Sequence, residues 1–294
     1  MFIHIASGTG YRLSVDLDLL DKKLIIELLQ ETSLQLAPYI EILSSVPSTN
    51  DYLLNALSEE ESLHIGNVVL VEEQTSGKGR MGRTWISPYA TNLYLSIYWK
   101  FVGPFLKLNG LSLVMGLAVV NAITTFGLEQ IKVKWPNDLY CQDKKLGGIL
   151  IETNYKSGGP IHVVIGIGVN VKNDVGLERQ LQQPCIDLQT CLGKNISRSW
   201  LAAAVILEVY KYLEIFSQEG FKCFMSTWAK RDYLMGKEVE VMIGATLYKG
   251  RVEGLDKSGA LQLKCCGNDT ILKSRNRKTL SIHSVNGTVI SLNK

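Results

Sequence analysis

Three glycines alternate with three cations in the segment GKGRMGR, residues 77–83, where the cations are Lys78, Arg80 and Arg83. Glycine allows a positive φ and a close approach of the backbone to a ligand, and cations interleaved with free N–H groups attract anions. An apolar run precedes the segment and an alternating run follows it, which predicts strand, basic glycine loop, strand. We therefore expect an anion-binding loop, although a solvated hairpin loop would explain the same residues.

The glycine spacing also satisfies the dinucleotide pattern GxGxxG. That site needs a helix that opens on the third glycine and an acidic residue about 20 positions later. Here a strand-like segment follows Gly82, and no Asp or Glu occurs between Glu73 and Glu129. The sequence contains no Gly-Lys-Ser/Thr, so a Walker phosphate loop is excluded as well.

A second group of charged residues lies in the segment KVKWPNDLYCQDKKLGG. The alternation predicts a strand that ends at the proline, a turn at Asn137, a second strand and a hairpin. This arrangement would bring Lys134, Asp138 and Lys145 together at one end of a sheet. A surface salt bridge would explain these residues equally well.

Polar residues in two other segments have the chemistry to bind a ligand. Ser48 and Thr49 precede a helical pattern, so they are expected to cap a helix, and hydroxyls at a helix start can also contact a ligand. In the strand-like run HVVIGIGVNV, Gly166 and Gly168 leave one face without side chains, where a flat apolar ligand could lie. Asn170 can donate and accept, which suits an amide or a purine edge. A helix crossing the strand would explain the glycines too.

Regular elements must position these residues. Leu111 to Phe126 has the pattern of an apolar helix, and Ser197 to Gly220 that of a long helix with Trp200 in its buried stripe. From Met235 onward the sequence alternates at period two between turns. This alternating pattern predicts four or five short strands in a small antiparallel barrel.

Composition limits the class of protein. The 294 residues, 46% of them hydrophobic, can form one large domain and a smaller one, and a net charge of +3 is weak evidence for a polyanionic partner. No run of about 18 apolar residues occurs, and the N-terminus lacks the features of a secretion signal, so we expect no membrane span. The six cysteines form no CxxC pair. We expect reduced thiols, no zinc site and a cytoplasmic protein.

The ordered motifs PSTN, EEQTSGKGRMGRTWISP, NLYLS, KWPNDLY, KKLGGILIE and GIGVNV resemble those of the biotin protein ligases, or biotin–[acetyl-CoA-carboxylase] ligases. The resemblance implies an α/β (α+β) fold. Its catalytic domain would be like that of class II aminoacyl-tRNA synthetases, with a mixed sheet and flanking helices, followed by a small SH3-like barrel. We expect a remnant of an N-terminal wing and linker at residues 1–40, the catalytic domain at 41–234 and the barrel at 235–294.

The resemblance also implies an ATP-dependent, AMP-forming ligase. The biotin carboxylate would attack the α-phosphate of ATP, and the biotinyl group would pass to a lysine of the biotin carboxyl carrier protein of acetyl-CoA carboxylase and related biotin enzymes. Both steps put negative charge on crowded oxygens, which fixed cations stabilise. By position, Lys145 would bridge carboxylate and phosphate, Arg80 would grip phosphate and Lys134 would be a second cation. Asp138 would hold the carrier lysine and help to remove its proton.

The resemblance assigns the remaining ligand contacts in two sets. Mg²⁺ would accompany ATP near Asp138, with no metal site fixed by the protein alone, and closure of the loop would protect the adenylate from hydrolysis. The expected biotin contacts are Ser48, Thr49, Gln74, Gly77, Lys78, Arg80, Lys145, Gly148, Gly166 and Gly168. The expected ATP or adenylate contacts are Arg80, Arg83, Trp85, Lys134, Asn137 and Asn170.

The sequence departs from the family pattern at two places. The family loop has the sequence GRGR, and in this chain Lys78 occupies the position of the first arginine. The replacement removes the planar guanidinium group, which can bind an anion through two parallel hydrogen bonds. If that side chain mainly restrains adenylate release, catalysis survives with a leakier intermediate. The N-terminal segment resembles only the last wing strand of the helix-turn-helix domain in biotin-operon repressors, so we expect no specific DNA binding.

Three alternatives stay open at this point. One is a lipoate or octanoyl ligase or transferase of the related fold, and another is a transcriptional regulator that senses biotinyl-AMP. The third is an inactive, biotin-binding module. For the ligase, the resemblance also implies a possible homodimer formed through an exposed sheet edge of the catalytic domain.

Overall fold

The computed structural model describes most of the chain and contains three sheets. The described residues are 3–6, 10–13, 17–31, 39–58, 63–156, 158–172, 183–243, 245–265, 279–282 and 289–291. The first two strands, β1 (Ile3–Ala6) and β2 (Gly10–Leu13), pair as an antiparallel hairpin. The other two sheets contain seven and five strands.

The seven-stranded sheet is mixed. Its strands are β3 (Ile40–Val46), β4 (Val68–Gln74), β5 (Leu93–Phe101), β6 (Lys132–Lys134), β7 (Asp138–Cys141), β8 (Lys144–Tyr155) and β9 (Ile161–Val169). Their order is β3-β4-β5-β9-β8-β7-β6, and only the β3–β4 pair among them is parallel. The central strands β5 and β9 are buried over almost their whole length, because helices cover both faces of the sheet.

Helices flank this sheet on its two faces. They are α1 (Lys22–Gln30), α2 (Thr49–Ser58), α3 (Leu111–Thr124), α4 (Leu188–Leu192), α5 (Arg198–Glu219) and α6 (Met225–Arg231). The helices α3 and α5 pack on each other and on one face, while α2 covers β4, β5 and β9 from the other. The expected mixed sheet with flanking helices is confirmed. The likeness to class II synthetases stays a prediction.

The apolar helix α3 occupies the centre of the core. The segment Phe105–Thr124, with a mean hydropathy of 1.6, is long and apolar enough to cross a membrane by composition. Within it, nearly every residue of α3 is buried between the sheet and α5. A helix enclosed on all sides by protein needs no polar face, so the core accounts for this composition.

The ends of α5 follow the predicted signals. The hydroxyl of Ser197 accepts from the N–H of Trp200, and Gly220 ends the helix with a φ of 66°. The prediction that Trp200 belongs to the buried stripe is wrong, since 51% of it is exposed. The buried side of the first turn carries Arg198 and Leu201 instead.

Five short strands form the C-terminal sheet. They are β10 (Glu238–Ile243), β11 (Thr246–Leu255), β12 (Leu261–Cys265), β13 (Thr279–Ile282) and β14 (Ile290–Ser291). All neighbours are antiparallel in the order β13-β12-β11-β10-β14. The indole N–H of Trp135 donates to the carbonyl of Gly259 at 3.1 Å, which joins this sheet to the larger part of the protein. An SH3-like barrel and the three domain boundaries stay predictions.

Candidate active site

The basic loop between β4 and β5 is a narrow hairpin. The N–H of Trp85 donates to the carbonyl of Gly77 at 2.8 Å, and the N–H of Gly79 donates to that of Arg83 at 2.6 Å. The chain reverses at Gly82, whose φ of 71° is in the region that favours glycine. Strand, loop and strand thus follow in the predicted order, and the cations lie on a compact tip.

A cavity of about 610 Å³ lies between this loop, the start of α2 and the strands β7, β8 and β9. Gly77 and Lys134 are the predicted site residues that do not line it. Those that do are Ser48, Thr49, Gln74, Lys78, Arg80, Arg83, Trp85, Asn137, Asp138, Lys145, Gly148, Gly166, Gly168 and Asn170. Polar lining residues that sequence reasoning did not assign are Asn50, Thr84, Asn92, Tyr94, Lys172, Gln183 and Cys185.

Lys145 and Asp138 form an ion pair inside the cavity. Lys145 Nζ lies 2.8 Å from Asp138 Oδ1, and the two side chains are only 10% and 11% exposed. The same ammonium lies 5.3 Å from the centre of the Trp85 ring. The pair is therefore buried rather than on the surface, and its charges act at a site of low dielectric constant where they interact strongly with a bound anion or cation.

Lys134 lies beside this pair but in a different environment. It faces Asp138 across the β6–β7 ladder, while its Nζ lies 3.3 Å from the hydroxyl of Tyr140. The ammonium is also 4.8 Å from the ring centre of Tyr140 and 5.9 Å from that of Tyr233. Burial lowers the pKa of Lys134, the Asp138 carboxylate opposes that shift, and Lys145 adds to it. Lys134 can thus act on the cavity through its charge.

Arg80 reaches into the cavity from the loop tip. Its Nη1 donates to Asn137 Oδ1 at 3.3 Å, and the amide of Asn137 is fixed in turn by donating to the carbonyl of Ile149 at 2.7 Å. Burial lowers the pKa of Arg80; the Asp138 carboxylate opposes that shift and Arg83 adds to it. A guanidinium remains charged at ordinary pH, so the cavity holds a fixed cation that suits a phosphate.

A buried polar network connects the start of α2 to β4 and β5 beside the cavity. Thr49 donates through its N–H and its hydroxyl to Gln74 Oε1, at 3.0 and 3.2 Å, and Gln74 Nε2 donates to the hydroxyl of Ser87 at 2.9 Å. Ser96 Oγ lies 2.7 Å from Thr49 Oγ1 and 2.6 Å from Asn50 Oδ1. Buried polar groups need such partners. A bound polar group here can exchange hydrogen bonds with several fixed donors and acceptors.

Three members of this network were missed by the sequence reasoning. Asn50, Ser87 and Ser96 were not assigned to the site. Ser96 is fully buried in β5, where its neighbours in the strand are apolar. A lone polar side chain in an apolar strand is the signal that would have identified it, because burial without a partner is costly.

The glycine face of β9 is not bare. A Cβ on Gly168 would lie 2.7 Å from ring carbons of Trp85, and a Cβ on Gly166 would lie 2.4 Å from Asn50 Oδ1. The expectation of a face without side chains is therefore wrong, because Trp85 and Asn50 lie against it; contact of a ligand with these glycines, which line the cavity, stays a prediction. The glycines permit their close approach. The buried Trp85 Nε1 has no hydrogen-bond partner within the described ranges.

Residues after β9 form the wall of the cavity beside Lys145. Asn170 Nδ2 donates to the carbonyl of Ile186 at 3.1 Å, and the N–H of Ile186 donates to the carbonyl of Lys145 at 2.9 Å. Cys185 therefore lies beside Lys145 in the wall, where burial raises the pKa of its thiol. Asn170 thus holds this wall in place with its amide nitrogen.

Comparisons with known proteins match most of this architecture. Residues 42–170 match the model of the Biotin/lipoate A/B protein ligase family. The bifunctional ligase/repressor BirA of Escherichia coli (strain K12) is 40% identical over 267 residues, which cover 90% of this chain and 79% of that protein. A biotin–[acetyl-CoA-carboxylase] ligase of Paracoccus denitrificans is 30% identical over 203 residues, covering 67% of this chain and 83% of that protein. The structure of a biotin protein ligase from Aquifex aeolicus in complex with biotin and ATP superposes with a TM-score of 0.70 at 26% identity, covering 86% of this chain and 98% of the other.

Proposed function

Because the chain belongs to the biotin protein ligase family, we propose that it uses ATP to convert biotin to biotinyl-5′-AMP and transfers the biotinyl group to a specific lysine of a biotin carboxyl carrier protein. The acceptors are the carrier proteins of acetyl-CoA carboxylase and related biotin enzymes. The observation that carries this proposal is the meeting of Arg80 with the buried Lys145–Asp138 ion pair in one cavity. These are the groups that adenylation of a carboxylate and transfer to an amine require.

In the first step, cations must stabilise the charge that builds up between the biotin carboxylate and the α-phosphate. We assign this role to Lys145 and Arg80. Lys145 is bound to Asp138, so a substrate anion competes with that carboxylate for the ammonium. Asn137 fixes Arg80, so little reorganisation is needed when phosphate binds.

In the second step, the acceptor lysine must lose a proton. A free lysine amine has a pKa near 10.4, so it is protonated at neutral pH. Once Lys145 binds the substrate anion, Asp138 is free to accept a hydrogen bond from the incoming amine and help to remove its proton. Lys134 supplies a second positive charge close to this carboxylate.

We assign the polar network to biotin and the part of the cavity lined by Arg83, Trp85 and Asn170 to the nucleotide. Ser48, Thr49 and Gln74 offer donors and acceptors to a ureido ring, with the backbone around Gly77 and Lys78 closing over it. Trp85 and Asn170 would contact the adenine, with Arg83 on the phosphates. Gly148, Gly166 and Gly168 support the wall against which these side chains pack.

We expect Mg²⁺ to arrive with ATP as part of the substrate. The described ranges contain no group of three or more His, Cys, Asp or Glu residues that could hold a metal ion. Among the described residues that line the cavity, Asp138 is the one carboxylate, and it is already paired with Lys145. A magnesium ion carried by the phosphates would neutralise the leaving pyrophosphate.

We also propose that two copies associate through the outer half of β8. From Ile151 to Tyr155 this strand pairs with β9 on one side, and its other side has no partner among the described strands. Tyr155 and Phe105 are 47% and 52% exposed, and their rings lie 6.3 Å apart beside this edge. An open edge with exposed aromatic rings suits pairing with a second strand. Sedimentation velocity that shows only monomer at all concentrations would contradict this.

Cytoplasmic location and the lack of specific DNA binding remain predictions.

The central test is biotin-dependent exchange of labelled pyrophosphate into ATP. Wild-type protein should catalyse exchange with biotin and not with lipoate, and Lys145→Ala and Arg80→Ala should lower the rate by about 10²- to 10³-fold. A folded protein that binds biotin but exchanges with neither acid would overturn the proposal. Exchange with lipoate alone would identify the related lipoate ligase instead.

A further inference from the structure

An ion pair at the cavity rim joins the basic loop to α2. Lys78 Nζ lies 2.6 Å from Asp51 Oδ1, and the side chains are 47% and 30% exposed. The hydrogen bond that Lys78 donates to the Asp51 carboxylate raises the pKa of Lys78, so the ammonium stays charged over a wide pH range. The two residues are 27 positions apart, and no sequence motif connects them.

Both partners belong to elements that form walls of the cavity. Asp51 lies in the first turn of α2, directly after the cavity residues Ser48, Thr49 and Asn50, and its N–H donates to the hydroxyl of Ser48 at 3.4 Å. Lys78 pairs with Thr84 across the loop hairpin, just before the tip. The ion pair thus ties the tip to the wall that holds the polar network.

The tip is tied on its other side as well. Arg80 Nη1 donates to Asn137 on the turn between β6 and β7, at 3.3 Å. Gly79 lies between these two attachments and Gly82 follows the second one, and glycines restrict the backbone little. The position of such a tip depends on its attachments more than on its own stiffness, so losing one of them should let it move away from the cavity.

Lysine suits this attachment. An ammonium binds one carboxylate as a point charge, whereas arginine binds best through a planar fork. We infer that Asp51 is a positioning residue that, by pairing with Lys78, holds the loop closed and slows the escape of the adenylate intermediate. The effect on the intermediate rests on the proposed function, whereas the effect on the loop does not.

Hydrogen exchange of the loop peptide spanning residues 75–87, measured without substrates, tests the structural part. Asp51→Asn should accelerate exchange of this peptide by roughly 1.5- to 5-fold, the range expected for an exposed ion pair. Asp51→Lys should do so at least as strongly, and combining it with Lys78→Asp should restore slow exchange. The matched control is Glu253→Gln, which removes the exposed Lys264–Glu253 pair of 2.8 Å in the C-terminal sheet and should leave the loop unchanged. Equal exchange in wild type and Asp51→Asn, or no recovery in the double variant, would overturn the inference.

Release of preformed biotinyl-adenylate tests the functional part. Asp51→Asn should release it roughly 1.5- to 5-fold faster than wild type, and Asp51→Glu should behave like wild type because it keeps the charge. Added salt should accelerate release from wild type more than from Asp51→Asn, since salt screens the pair. If adenylate forms and leaves both proteins at the same rate and with the same salt dependence, the inference fails while the proposed function stands. If wild type forms no adenylate, the proposed function fails. Hydrogen exchange of the loop peptide still decides whether Asp51 holds the loop.

Discussion

At the scale of single residues, the Lys145–Asp138 ion pair links the two halves of the proposed reaction. Each partner neutralises the other until a substrate anion binds the lysine and an amine approaches the aspartate. Burying such a pair is costly unless both groups are satisfied, and a carboxylate left alone at this depth would be destabilising. The pair therefore holds both groups in position before substrates bind.

Asp138→Asn should separate the two steps. The amide keeps the shape of the side chain but cannot accept a proton, so transfer to the carrier protein should fall by about 10²- to 10⁴-fold while adenylate still forms. Single-turnover measurements of adenylate formation and of acceptor labelling check this. Asp143→Asn is the control, because that carboxylate is 81% exposed on the neighbouring hairpin turn. Equal loss of both steps in Asp138→Asn would contradict the assignment.

Lys134 should determine the alkaline side of the pH profile. Burial lowers the pKa of its ammonium, so its charge is lost at lower pH than that of an ordinary lysine, and activity that needs the charge declines there. Lys134→Arg keeps a cation at all accessible pH values. The decline of kcat/KM on the alkaline side should therefore occur at higher pH than in wild type. Lys132→Arg is the control, because the ammonium of Lys132 donates to the carbonyl of Lys230 at 2.8 Å, away from the cavity residues. An unchanged alkaline decline in Lys134→Arg would rule out this role.

At the scale of elements, the loop hairpin depends on close backbone contacts at its base. A Cβ on Gly77 would lie 2.3 Å from the carbonyl oxygen of Trp85 and 2.8 Å from the hydroxyl of Ser87. The hydroxyl of Ser87 also accepts from Gln74. A change at the base of the loop therefore reaches the polar network assigned to biotin.

Gly77→Ala should weaken biotin binding and lower the free energy of unfolding by about 1–3 kcal/mol, the usual cost of overpacking. Gly79→Ala is the matched control in the same loop, because its nearest contact would be 3.3 Å, to the carbonyl oxygen of Arg83. Isothermal titration with biotin and urea unfolding measure the two effects. The proposed dependence on loop geometry is wrong if both variants bind biotin equally well.

At the scale of the whole molecule, a buried ion pair fastens the segment before α1 to the catalytic core. Arg198 Nη1 donates to Glu72 Oε2 at 2.8 Å, and its Nε donates to the carbonyl of Asp18 at 3.1 Å. Glu72 Oε1 accepts from the N–H of Leu20 at 2.8 Å. Burial lowers the pKa of Arg198, and the carboxylates of Glu72 and Asp18 oppose that shift. Strand β4, helix α5 and the N-terminal segment are thus held at one point.

Arg198→Met should lower the free energy of unfolding by about 3–5 kcal/mol, because it leaves the Glu72 carboxylate buried without its cation. Adding Glu72→Gln should recover part of the loss, since the remaining group is then neutral. Urea unfolding at constant slope measures both values. Removing the Lys249–Glu240 pair, in which the lysine is exposed and the glutamate half-buried, by Glu240→Gln should change stability by less than about 1 kcal/mol. A single variant at Arg198 that is as stable as wild type would show that the pair contributes nothing.

Local patterns by themselves determined the elements of this protein and the types of residue at its site. The cap at Ser197, the stop at Gly220 and the glycine loop were readable because each depends on backbone preferences within a few residues. The order of the motifs, by its resemblance to that of the biotin protein ligases, also indicated the family. The side-chain roles it implies remain to be tested.

The tertiary structure alone decided which distant groups meet. Lys78 finds Asp51, Ser96 finds Asn50, and the indole of Trp85 covers a glycine face that had been expected to be open. The burial of Arg198 against Glu72, 126 positions away, likewise follows from the order of strands and the packing of α5. Contacts of this kind depend on how whole elements pack, and packing is set by the sum of many weak interactions across the core rather than by any local stretch of sequence.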